Sequence, residues 1–209
     1  MPVDRFYAWI AAHLPRMAAS LGAPASEHRI AAAETELGVV FPPALRALYA
    51  RHDGQREPYR GGPFYGLSFL SLDAVSHQWA GWARMVDDGT AAELEKAPSS
   101  MRSHAPGLVK PRYANRAWIP FADDSGGNCL GLDFDPDVDG RAGQVINFGR
   151  DEDVKYVLAD SFEGFLEWLV DEWESGNHRV DVDEDGEEIF STRHPPSEHF
   201  LDAVKVMFD

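Results

Sequence analysis

The sequence predicts an α+β fold with a mostly antiparallel central sheet and helices packed before and after it. Two observations carry that reading. Between residues 117 and 159, short extended segments alternate with turn-forming stretches rich in Asp and Gly, the pattern of an antiparallel meander. Segments with helical spacing of apolar residues collect on either side of it rather than alternating with it, which disfavours a parallel α/β sheet. With 209 residues and six Trp, six Tyr and twelve Phe, the chain has the apolar bulk for a real core.

The elements follow in order. Residues 3–20 have helical spacing, with Phe6, Trp9, Ile10, His13, Leu14 and Met17 on one side, and Pro15 is placed to kink or split the segment. Ser26 caps a second helix carrying Ile30, Ala33 and Leu37, and Gly38 ends it. Pro42-Pro43 opens a third, with Leu45, Leu48 and Tyr49 inward, stopped at Asp53-Gly54. Residues 55–63 read as a polar loop and 64–70 as extended. Ser71 or Asp73 caps a helix through about Arg84 with Val75, Trp79 and Trp82. Residues 87–116 lack periodicity and carry Pro98, Pro106 and Pro111. They read as an irregular insertion or mobile arm, with one short helix at 90–96.

Strands are expected at 118–122, 128–133, 144–149 and 155–159. Ser161 caps an amphipathic helix with Phe162, Phe165, Leu166, Leu169 and Trp173 inward. A hairpin over 180–190 and a helix over 197–208 complete the chain. The expected organisation is an N-terminal helical extension (1–25), a main domain (26–183) and the end of the hairpin with a terminal helix (184–209).

Composition bounds the function. The net charge is −16, with residues 1–119 near balance at +2 and residues 120–209 at −18. An acidic half of that size repels phosphate backbones and attracts a basic protein. Acidity also serves solubility alone. No apolar run reaches membrane-spanning length, and Asp4, His13, Pro15 and Arg16 do not suit a secretory leader. Cys129 is the sole cysteine, which excludes an internal disulfide. A cytosolic protein is expected.

Candidate chemistry is sparse. Asp123, Asp124, Asp133, Asp135, Asp137 and Asp139 lie close together in sequence. Carboxylates so grouped can form a metal or acid–base site, but beside Gly and Pro they serve turns, a solvated surface or a partner-binding surface. Asp181 to Gly186 imitates the start of a calcium loop, yet Thr192 stands where the loop needs a bidentate Glu. An Asp-Gly hairpin turn explains the same residues. His178, His194 and His199 form no metal-binding helix motif among themselves. There is no nucleophile elbow and no phosphate loop. No catalytic, cofactor or metal residue is assigned. Partner contacts are expected from Asp123, Asp124, Asp135, Asp137, Asp139, Asp151, Glu152 and Asp153, with Tyr59 and Tyr65 as aromatic anchors.

Four blocks resemble a known superfamily. EHRIAAAETELGVVFPPALRALYARHDGQ (27–55) is similar to the opening of SUKH domains. YGLSFLSLDAVSHQWAGW (65–82) resembles the element that follows it in fungal cell-wall-synthesis regulators. WIPFADDSGGNCLGLDFDP (118–136) resembles the most recognisable motif, and GQVINFGRDEDVKYVLADSFEGFLEWL (143–169) the closing strand–strand–helix. The resemblance implies an α+β fold and structural roles for Trp118, Pro120, Phe121, Gly126, Gly127, Leu132, Asp133 and Phe148. It implies a binding protein without catalytic residues. Fungal members act as interaction hubs in cell-wall signalling, and many bacterial members neutralise toxins, often nucleases. A chain little longer than the domain leads us to expect an immunity protein for a basic toxin domain. A regulatory module of the fungal kind is the alternative.

Overall fold

A computed structural model describes residues 1–56, 61–96 and 101–208. The first helical stretch is two helices, α1 (Pro2–His13) and α2 (Pro15–Ser20). They part at Leu14, whose φ of −131° and ψ of 61° are not helical, because a proline ring crowds the helical conformation of the residue before it. Helix α3 (Glu27–Leu37) is capped as its chemistry predicts. The Ser26 hydroxyl accepts from the Arg29 N–H at 3.2 Å, and Gly38 closes it with φ 71°. Helix α4 (Pro43–Arg51) follows the proline pair.

The stretch expected to be extended over 64–70 is mostly a turn. Only β1 (Ser68–Phe69) is a strand, and Tyr65 and Gly66 have φ of 50° and 94°. Helix α5 (Leu72–Asp87) is capped by Ser71 and runs three residues past the expected end. The insertion holds α6 (Thr90–Leu94) and β2 (Arg102–Ser103). Within it, Val109 is fully buried against Trp118, Cys129, Ile146 and Phe148.

The main strands are β3 (Trp118–Asp123), β4 (Asn128–Asp133) and β5 (Gln144–Gly149). The strand expected at 155–159 is two, β6 (Val154–Lys155) and β7 (Val157–Ala159). Each has a different partner: β6 pairs in parallel with β2, and β7 pairs antiparallel with β5. Tyr156 sits at the break, its N–H on the Asn147 side-chain oxygen at 2.6 Å. The main sheet has the order β1-β3-β4-β5-β7 and is antiparallel throughout. Helix α7 (Phe162–Glu174) is capped by Ser161. The hairpin β8 (Arg179–Val182) and β9 (Glu188–Ser191) precedes α8 (Phe200–Met207).

One face of the sheet (Ile119, Phe121, Leu130, Leu132, Val145) meets α1, α4, α7 and α8 in a single cluster. Phe6 lies 5.3 Å from Trp173 between ring centroids, and Trp9 lies 5.5 Å from Phe190. Both chain ends therefore complete the main core. The other face carries a smaller cluster of Trp118, Cys129, Ile146 and Phe148 under Val109, with Trp82 of α5 against it. Helix α5 is thereby fixed across the edge of the sheet, beside the β3–β4 turn.

Candidate protein-binding surface

The β3–β4 turn is built around one carboxylate. Asp124 accepts from the Gly126 N–H at 2.7 Å, the Asn128 N–H at 2.9 Å and the Asn128 side-chain amide at 2.7 Å. The His199 ring stands 3.2 Å away. Burial works against ionisation, but the hydrogen bonds from His199, Asn128 and Gly126 outweigh it and hold this carboxyl well below the usual range. Ser125 adopts a φ of 58° and Gly127 one of 102°, the latter a conformation that glycine takes without steric cost. Asn128 extends the brace to the next turn, its side-chain oxygen accepting from the Asp151 N–H at 2.8 Å.

Below the turn, the motif residues are structural supports. Trp118 donates its indole N–H to Asp133 at 3.0 Å, and Gln144 donates to the same carboxylate at 3.0 Å. Asp133 is fully buried. Burial pushes its pKa up to about 6 despite the hydrogen bonds from the Asp135 N–H, Gln144 and Trp118. Phe121 and Leu132 lie in the main core and Phe148 in the smaller one. A side chain at Gly131 would meet the Ile119 carbonyl at 2.7 Å. Pro120 stands beside the β3 irregularity that precedes Ala122.

This rigid turn forms one rim of a cleft, and α5 forms the other. Gln78 joins them by donating to Asp123 and accepting from the Cys129 thiol at 3.3 Å. Two depressions meet along this line and share His77, Gln78, Asp123 and Ser125. One continues toward Arg56 and Phe69, the other over Gly81, Trp82 and Met85. Trp82 and Met85 are half-buried. The cleft is open and mixed in character. Its lining brings apolar Trp82 and Met85 beside polar His77, Gln78, Asp123 and Ser125.

Several expected contact residues are placed elsewhere. Tyr65 is 1% exposed. Its ring lies between Phe190 and Phe200, and its hydroxyl donates to the Asn177 carbonyl at 2.7 Å. It is a core residue, because the C-terminal hairpin and helix close over it. Glu152 is 3% exposed and pairs with Lys205 of α8 at 3.3 Å. It too is withdrawn from any partner. Asp135 is exposed but engaged by Lys110 at 2.5 Å and Asn115 at 2.9 Å. Asp137 binds the Val138 N–H at 2.9 Å. Asp139, Asp151 and Asp153 are exposed. Tyr59 lies outside the described residues.

Part of the acidic half is paired with the N-terminal segment. Arg5 of α1 takes Asp171 at 2.6 Å and Glu174 at 2.7 Å. Arg16 takes Glu187 at 3.1 Å. Glu163 accepts from the Ala44 N–H at the start of α4, and Glu188 from Arg16 and Met17 at the start of α2, where helix ends favour negative charge. The N-terminal half thus supplies cations and helix ends to these C-terminal carboxylates. Among the described residues, no group of three or more His, Cys, Asp or Glu is arranged to hold a metal ion. The residues resembling a calcium loop form the β8–β9 turn, where Asp183 accepts from Asp185 and Glu187 N–H groups. Sequence reasoning missed His77 and Met85, and the Asp124 partner of His199. The first two carry no local signal, and His199 acts on a residue 75 positions away.

An antiparallel five-stranded sheet with helices enclosing one face, and a braced polar turn beside an open cleft, defines an α+β domain. Residues 24–168 match the SMI1 / KNR4 family (SUKH-1), and the chain belongs to it. It is 31% identical to the cell wall assembly regulator SMI1 of Saccharomyces cerevisiae, over 94% of this chain and 46% of that protein. It is 34% identical to the cell wall biosynthesis/cell cycle regulator smi1 of Schizosaccharomyces pombe, over 82% and 35%. It is 30% identical to a glucan synthesis regulatory protein of Neurospora crassa, over 93% and 42%. The chain spans less than half the length of these relatives. Among its described residues no helix is long and apolar enough to cross a membrane.

Proposed function

We propose that this chain is a cytosolic, non-catalytic regulatory domain that binds another protein, and that it does so through the cleft between α5 and the β3–β4 turn. The observation that carries this reading is the cleft itself. Its wall holds Trp82 and Met85 beside polar Gln78 and Asp123, on a turn fixed by Asp124. Tryptophan anchors and adaptable methionines are favoured at protein interfaces. The likeness to cell-wall regulators supports a regulatory partner. Toxin neutralisation has weaker support, because the relatives that the chain matches are cell-wall regulators. Nucleic acid and membrane have no part in the reading.

The test is site-specific photo-crosslinking in the native cells. A photoreactive residue replaces Gly81 on the cleft rim or, as control, Ala31 on α3; both positions are exposed. A discrete protein adduct from position 81, absent at 31 and lost on Trp82→Ala, is the expected result. Equal adducts at both positions, or none at 81, would overturn the cleft. A secreted nuclease as the captured protein would restore the toxin reading.

A further inference from the structure

Away from the cleft, two histidines meet where α1, α7 and the β8–β9 hairpin converge. His13 closes α1, and His178 lies between α7 and β8. Their ring centroids are 5.8 Å apart with planes at 67°. The Trp9 indole supports both rings, stacking on His13 at 4.3 Å and meeting His178 edge-on at 4.9 Å. Each ring is also held by its Nδ1. That of His13 lies 2.9 Å from the Trp9 carbonyl, and that of His178 lies 2.9 Å from the Trp173 carbonyl. A carbonyl oxygen only accepts, so both Nδ1 atoms carry the proton. In the neutral rings both Nε2 atoms then carry a lone pair.

We propose that His13 and His178 form a binding site for a divalent transition-metal ion through their Nε2 atoms, with solvent in the remaining positions. Imidazole nitrogen binds zinc at about 2.0–2.1 Å, which sets two ring centroids on one ion about 5.2 Å apart at the tetrahedral angle and about 5.8 Å apart when the angle opens to about 130°. The observed separation falls in that span. The two backbone carbonyls provide the outer hydrogen bond that ligating histidines ordinarily make, and that bond fixes tautomer and orientation. Nitrogen donors select zinc, copper or nickel over magnesium and calcium. His13 is exposed and His178 half-buried, so an ion has access. Two protein ligands, and the charge of Arg193 near His178, make this a site of modest affinity.

Zinc chloride titrated calorimetrically into the full chain is expected to show one ion bound per chain. His13→Asn and His178→Asn each keep a side-chain N–H for the carbonyl but lose the ligand, and each is expected to weaken binding about tenfold or more. His28→Asn, at an exposed position of α3 away from both histidines, is expected to leave it unchanged. Paramagnetic resonance of the copper(II)-loaded wild type reads the ligands without any variant and is expected to show two imidazole nitrogens. Absence of stoichiometric binding, wild-type affinity in either Asn variant, or a single nitrogen ligand would overturn the proposal.

Discussion

The His199 ring and the Asp124 carboxylate meet at 3.2 Å, joining the residue before α8 to the turn between β3 and β4. This contact ties the C-terminal segment to the rim of the cleft. The hydrogen bond to Asp124 raises the pKa of His199 against the opposing effect of burial. A histidine whose folded pKa exceeds its unfolded value stabilises the fold fully below the unfolded pKa. That stabilisation is lost as pH rises through the folded value. The urea-unfolding difference between wild type and His199→Ala should therefore be larger at pH 6 than at pH 8.5. An equal difference at both would show that the pair does not titrate as described.

Asp124→Ala removes the acceptor for three N–H donors in one turn. A loss of about 2–3 kcal/mol is expected, in line with deletion of a charged acceptor that leaves donors unsatisfied. Because the Asp124 pKa is depressed, its stabilisation is present above the unfolded value and disappears as pH falls through the folded one. The gap between wild type and variant should shrink on strong acidification, measured by denaturant melts.

Asp133 has the opposite sign. Its pKa of about 6 lies above the model-peptide value. The folded state therefore holds the proton more tightly, and this group's contribution declines as pH rises from about 4 to about 6. Asp133→Asn cannot ionise. Its stability relative to wild type should improve between pH 4.5 and pH 6.5. A difference that stays flat would contradict a buried, titrating carboxyl.

Lys155 is fully buried over the Trp118 ring, its ammonium 5.9 Å from the ring centroid and bonded to the Glu152 carbonyl. Burial lowers its pKa to about 8, against the pull of Glu152. A lysine with a depressed folded pKa destabilises the fold while charged, and this effect fades as pH rises past that value. Lys155→Met should be neutral or stabilising at pH 7, with its advantage shrinking at pH 10. Marked destabilisation at pH 7 would show that the ammonium is needed where it lies.

Phe6→Ala tests whether the N-terminal helix belongs to the core. The ring is fully buried against Phe64 and Trp173. Its loss should lower stability by about 3–5 kcal/mol. An unchanged urea midpoint would make residues 1–25 a detachable extension.

The helix boundaries were legible because their causes are local. Ser26, Ser71 and Ser161 each bind an N–H three residues on, and Gly38 supplies the left-handed stop. The meander was legible because its turn residues and alternating strands lie within a few dozen positions. The supporting roles of Trp118 and Asp133 followed from the resemblance. Their hydrogen bond required β3 and β4 to pair in register. The split at Tyr156 had no sequence signal, since it depends on β2 and β5 competing for one strand.

The sequence by itself determined the fold class, the caps and the family, because periodicity, capping chemistry and motif order act over short stretches of chain. Only the tertiary structure decided what is exposed. Tyr65 is buried because β9 and α8 fold over it, and Glu152 because Lys205 arrives from the far end. Asp171, Glu174 and Glu187 are paired because Arg5 and Arg16 reach them from the opposite terminus. Burial and ion pairing depend on which distant segments meet, and that is fixed by packing the whole chain.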